Sequence, residues 1–178
     1  MNCPNCGAPM CFHDGRECMT CDYCQSVYFP EKNEDGVRVL GEPSELSCPV
    51  CAIPLARAIL ASHQILYCTR CRGSLVPAPV FVLAIEDLRA QRTGFSAAAH
   101  RPDAKELDRH MECPQCHRAM DTHYYAGPGN IVIDDCARCE LNWLDAGELM
   151  AIVRAPDHPY ELGSGSIWEC AGDFRFPE

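Results

Sequence analysis

The 178-residue sequence predicts a small metal-stabilised α+β fold: three tandem four-cysteine zinc ribbons built on β-hairpins, the second and third each followed by a helix. Three observations predict it. Fifteen cysteines are about 8% of the chain, the level of a scaffold built on cysteine. Twelve of them form six Cys-x-x-Cys pairs in a repeating order. The N-terminus has neither a basic start nor an apolar run. The chain therefore reads as cytoplasmic, where thiols stay reduced and such pairs read as metal ligands rather than disulfides.

The repeat has three openings and three closings. The openings are Cys3-Pro4-Asn5-Cys6, Cys48-Pro49-Val50-Cys51 and Cys113-Pro114-Gln115-Cys116, each with an apolar residue (Met10, Leu55, Met120) four positions after the second cysteine. The closings are Cys21-Asp22-Tyr23-Cys24, Cys68-Thr69-Arg70-Cys71 and Cys136-Ala137-Arg138-Cys139, after 14, 16 and 19 intervening residues. A Cys-x-x-Cys turn aims two thiolates at one point and frees backbone N–H groups to bond the sulfurs. Two turns brought together by a hairpin complete a tetrahedral site of four cysteines. Turn signals stand at Asp14-Gly15 and at Gly127-Pro128-Gly129-Asn130. Period-two apolar residues, Ile65 with Tyr67 and Ile131 with Ile133, lead into the closing turns.

Three cysteines fall outside the pattern. Cys18 occupies the slot of Ile65 and Ile133 and reads as a small buried apolar residue, with a register swap for Cys21 or Cys24 left open. Cys11 aligns with Ala56 and Asp121, an exposed position, and Cys170 stands alone in the tail. Nothing near either points to a reactive thiol.

The units then follow in order. Residues 1–30 are ribbon one, ending in the strand Ser26-Val27-Tyr28-Phe29-Pro30 rather than a helix. Residues 31–47, rich in Gly, Pro and acids, read as a linker in which Val37, Val39 and Leu40 make a short strand docked on a neighbour. Residues 48–92 are ribbon two plus a helix opened by Pro79, with Phe81, Ile85 and Leu88 on one face and Leu83 toward the Leu75-Val76 region. That helix is apolar nearly all round over 80–85, so it needs cover from another unit or a second copy of the chain. Residues 93–112 are a linker with a short helix at 104–110, capped by Asp103 with Glu106 three positions later. Residues 113–155 are ribbon three plus a helix, with Asp145 and Glu148 forming a capping box. Aligning Cys139 on Cys71 sets Trp143 over Leu75 and Leu149 over Phe81. Residues 156–178 are a turn-rich tail whose Ile167, Trp168, Phe174 and Phe176 read as a strand or clasp docking on a ribbon.

Unit three resembles the transcription factor IIB-type zinc ribbon found in many small bacterial proteins. The matching residues are Cys113-Pro114-x-Cys116, Cys136-x-x-Cys139 and Trp143-Leu144-Asp145-x-Gly147-Glu148-Leu149. Unit two shares the cysteines but has Leu75-Val76-Pro77 where that family has Trp-Leu-Asp, and unit one resembles a generic short ribbon. The resemblance implies Zn²⁺ in sites of four cysteines, three per chain. It does not imply transcription, because ribbons of this kind occur in proteins of many functions.

Charge and chemistry narrow the function. The formal net charge is −10, and three Zn²⁺ each held by four thiolates bring it to about −16. By segment it is −5 over 1–47, +3 over 48–92 and −8 over 93–178. The first expectation is a non-catalytic zinc scaffold that binds a protein partner or a second copy of itself. The alternative is nucleic-acid binding through ribbon two, where Arg70 and Arg72 flank Cys71 and Arg57, Arg89 and Arg92 add charge; the overall negative field opposes it. A catalytic zinc keeps an open position, which four cysteines deny. The seven histidines are scattered, and no triad, carboxylate pair or phosphate loop is visible. Iron in a rubredoxin-like site is the remaining redox option, because the same turns bind iron. The longest apolar run, 75–85, is broken by Pro77 and Pro79 and is too short to span a membrane.

Overall fold

In the computed structural model, residues 1–12, 18–93, 104–125 and 129–156 are described. The turn at Asp14-Gly15, the cap residue Asp103, the tail aromatics and Cys170 lie outside them. Ribbon one is a three-stranded antiparallel sheet of β1 (Cys11–Phe12), β2 (Met19–Thr20) and β3 (Val27–Tyr28). Ribbons two and three share one seven-stranded sheet. Its strands are β4 (Val37–Ser47), β5 (Pro54–Leu60), β6 (His63–Tyr67), β7 (Ser74–Pro77), β8 (Asp121–Tyr124), β9 (Val132–Cys136) and β10 (Leu141–Leu144), in the order β4-β5-β6-β7-β10-β9-β8. The helices are α1 (Ala78–Gln91) and α2 (Glu148–Arg154). Among the described residues no helix is long and apolar enough to cross a membrane.

The three ribbons share one register. Cys11 pairs with Thr20, Ala56 with Tyr67 and Asp121 with Asp135; these are the same positions counted from the cysteines. Tyr28–Met19, Leu75–Leu66 and Trp143–Asp134 repeat the match on the other side of the middle strand. Cys18, Ile65 and Ile133 occupy one buried slot, which is why a thiol serves there as a small apolar group.

Ribbons two and three join through a local two-fold. Strands β7 and β10, equivalent in the repeat, pair antiparallel, and Trp143 lies opposite its own counterpart Leu75. Such self-complementary pairing is the geometry of a two-fold dimer, here inside one chain. It also removes the open edge that a lone ribbon would present at β7 or β10.

Both helices cover the same side of this sheet. Val76 and Leu144 lie beneath them at 0% exposure, in one core with Phe81, Ile85, Leu149 and Ile152. Phe81 also meets Tyr125 edge to face, ring centroids 5.6 Å apart. Ribbon three thus covers one side of the apolar helix. Leu83, read as facing Leu75-Val76, instead points outward, together with Val82. The ribbons also cap each other's helices. The Ala78 N–H at the start of α1 donates to the Glu140 carbonyl at 2.8 Å. Arg89 donates to Ile152 O, and Arg92 to Val153 O and Ala155 O, each at 3.0 Å, satisfying the C-terminal carbonyls of α2.

Two boundaries differ from expectation. Residues 37–47, placed in a linker, form the 11-residue strand β4 along the outer edge of β5. Gly41, at φ +78°, and Pro43 disguise it: the register shifts on both sides of Pro43, and an edge strand tolerates the missing donor. The short helix expected at 104–110 is a 3-10 turn, Ala104–Asp108, with no buried residue to hold a longer helix. Ribbon one packs through Met10 and Met19 onto Leu40 of β4 and Ile59 of β5.

Candidate metal centres

Each ribbon closes on four sulfurs. The groups are Cys3, Cys6, Cys21 and Cys24; Cys48, Cys51, Cys68 and Cys71; and Cys113, Cys116, Cys136 and Cys139, with the ligand atoms of each group within 4.8 Å of one another. Separations of 3.5 Å for Cys3–Cys24, Cys6–Cys21 and Cys48–Cys71, and 3.7 Å for Cys116–Cys136, exclude disulfides. They approach the roughly 3.8 Å edge of a tetrahedron whose Zn–S bonds are about 2.3 Å. No cysteine among the described residues is in a disulfide. Cys18 and Cys11 stand outside the first group, and the register swap does not occur.

The turns explain how the sequence makes these points. The N–H of Cys3, Cys21, Cys48, Cys68 and Cys113 each donates to a carbonyl five residues on, and their own carbonyls accept from the residue after the second cysteine. That residue is left-handed in all six turns: Gly7, Gln25, Ala52, Arg72, His117 and Glu140 have φ between +53° and +76°. The sixth turn departs from the others because Cys136 is already in β9, paired with Leu141. Backbone N–H groups then point at the sulfurs, as from Cys51 N to Cys48 Sγ at 3.2 Å.

The electrostatics of the clusters call for a cation. The Ser26 hydroxyl and N–H pull the Cys24 thiol down to about 5, and the Arg118 N–H helps bring Cys116 down to about 7. Partial burial, followed by its neighbours Cys116 and Cys136, pushes Cys139 up to about 12. One thiolate in a cluster therefore raises the cost of the next, and a divalent cation is what lets all four ionise. Three closed sites of four cysteines accommodate three Zn²⁺.

Other candidates resolve differently. Cys11 is exposed, but the Asp22 carboxylate bonded to it raises its pKa, which disfavours the thiolate. His117 lies at the exposed left-handed position after Cys116 and is no ligand. His63 and His123 pair with Asp87 and Asp135, at 3.3 and 3.2 Å. Arg72, one of the two arginines that flank Cys71, is held by buried Asp35 through Nε and Nη2, both at 2.9 Å; the Tyr67 hydroxyl donates to the same carboxylate at 2.9 Å. Burial and that carboxylate push Tyr67 up to about 12. Asp35 sits in the stretch read as linker, and no local pattern links it to Arg72.

The closing motif of ribbon three is accounted for residue by residue. Trp143 is fully buried and donates from Nε1 to Asp145 at 3.0 Å. Arg109 binds the same carboxylate and lies 3.5 Å from buried Asp134, which also accepts from Thr122. The capping box is half formed. Glu148 accepts the Asp145 N–H at 2.7 Å, but the Asp145 side chain is taken by Trp143 and Arg109, and left-handed Gly147 stands at the helix cap. Burial pushes Glu148 up to about 7 despite that hydrogen bond.

Comparison with known proteins agrees with this geometry where it speaks. Comparison with curated proteins and with solved structures gives no match. Residues 112–155 match the family model described as a transcription factor zinc-finger. By this match unit three is similar to a zinc ribbon of the transcription factor IIB type, and units one and two repeat its metal site and strand register.

Proposed function

We propose that the protein is a non-catalytic zinc scaffold in a reducing compartment, whose ribbons present surfaces to a protein partner. The observation that carries this reading is closure: each cluster has four thiols. An ion there has no position left for water or substrate. Exposed apolar side chains, Tyr23, Val27 and Phe29 on ribbon one and Val82 and Leu83 on α1, supply contact surface.

Nucleic-acid binding is the second reading, favoured by Arg57 and Arg70, which stay exposed on ribbon two. It is weakened because Arg72, Arg89 and Arg92 are turned onto protein acceptors. The test is paired: binding of the zinc-loaded chain to labelled DNA and RNA near 50 mM salt, and reconstitution with each protein captured by affinity purification. The scaffold reading expects a reconstituted complex and no saturable nucleic-acid binding. Saturable binding that Arg57→Ala plus Arg70→Ala abolishes would move the function to the second reading.

A further inference from the structure

Ribbon one repeats the strands of the other two ribbons but lacks their helix. Counted from the second closing cysteine, Phe29 occupies the position of Val76 and Leu144. Those two are sealed under α1 and α2 at 0% exposure, whereas Phe29 is 62% exposed. Val27, one pleat away on the same face, is 52% exposed, and Tyr23 on the adjoining turn is 84% exposed. Tyr28, which points to the opposite face, packs into the chain. Val27 and Phe29 are therefore uncovered on the side that a helix covers in both other copies, while Cys18, on that same side, is buried.

The chain also carries a helix with an uncovered apolar side. On α1, Phe81, Ala84 and Ile85 face the sheet, while Val82 and Leu83 stay 56% and 48% exposed. We infer that the open face of ribbon one docks the outer side of α1 from a second copy of this chain, with Val82 and Leu83 seated on Val27 and Phe29. The contact would repeat between chains the packing of α1 on β7 and α2 on β10 within one. Two such contacts related by a two-fold would set each copy's ribbon face against the other's helix. The inference deepens the scaffold reading by naming one docking face and its occupant.

Sedimentation of the full zinc-loaded chain tests it, with Phe29→Glu and Leu83→Glu as variants. Both positions are exposed, so each variant keeps its zinc and its melting temperature, which are measured first. The expected result is a reversible dimer of the native chain with a dissociation constant on the order of 10⁻⁵ M. Each variant alone weakens it by at least about tenfold. An equimolar mixture of the two variants recovers a mixed dimer, because one protomer keeps an intact ribbon face and the other an intact helix. A native chain that stays monomeric at about ten times that concentration overturns the inference. So does a dimer indifferent to either variant, or a mixture that recovers nothing. A monomer whose binding to some other protein is lost in Phe29→Glu also overturns it, while leaving the scaffold reading intact.

Discussion

The indole of Trp143 fills the space where a side chain on residue 73 would begin. A Cβ built on Gly73 would stand 2.8 Å from Cη2 of that ring and closer still to Cζ2. The two residues belong to different ribbons, and their contact sits beside the β7–β10 pairing that joins them. Gly73→Ala is expected to destabilise the protein by about 1–3 kcal/mol through overpacking. Trp143→Leu alone opens a cavity costing about 2–4 kcal/mol. Combined, the two losses fall short of their sum, as denaturant unfolding of the four-member cycle would show. Strict additivity would mean that the contact is not made.

Left-handed residues after the second cysteine are strained unless they are glycine. Ribbon one already uses Gly7, whereas Ala52 holds φ +56° on an exposed site in ribbon two. Ala52→Gly is expected to stabilise by about 0.5–1 kcal/mol, part of the left-handed cost being offset by greater freedom in the unfolded chain. That is a rise in melting temperature of about 1–4 °C. An unchanged or lower melting temperature contradicts the assigned turn geometry.

Arg72 and Arg70 flank the same cysteine but are expected to behave oppositely. Arg72→Ala leaves buried Asp35 with only the Tyr67 hydroxyl and lowers the urea midpoint. Arg70→Ala, on the surface, stays within about 0.5 kcal/mol of the native chain. Urea midpoints of the two variants separate the cases, and equal midpoints would remove the structural role given to Arg72.

Glu148 gives a pH signature. Its folded pKa, about 7, lies above the ordinary carboxylate value. The folded chain therefore holds a proton through a range where the unfolded chain has released it. The resulting stability is full below about pH 4.5 and is lost as pH rises through about 7. Glu148→Gln keeps an acceptor for the Asp145 N–H but cannot ionise. Between pH 6 and 8, in saturating zinc, the native chain should lose about 1–2 kcal/mol relative to this variant. The comparison cancels the zinc-linked pH dependence that both share. A difference that is flat with pH, or that grows in the native chain's favour, contradicts the assignment.

Much of this structure is legible in the sequence because cysteine spacing is a local signal with one geometric solution. The register that equates Cys18, Ile65 and Ile133 can be counted from the cysteines alone, as can the match of Trp143 to Leu75. The two-fold between ribbons cannot. It depends on which strand edges meet, and a sequence pattern does not specify edges. β4 is hidden for a different reason: its Gly41, Pro43 and acids are what an edge strand tolerates and also what a linker contains. Asp145 reads as a cap because Asp-x-x-Glu is the local rule. Arg109, 36 residues earlier, competes for its carboxylate, and a non-local ion pair leaves no trace in spacing.

The most direct test of the account is metal stoichiometry coupled to thiol release. The as-purified chain should be colourless, and its elemental analysis should give three zinc and no iron. Titration with a mercurial should then release each zinc for about four thiols consumed at its site. Cys11, Cys18 and Cys170 should react without releasing any metal. Fewer than three zinc at full occupancy, iron in place of zinc, or zinc lost when Cys11 alone is modified would contradict three closed four-cysteine centres.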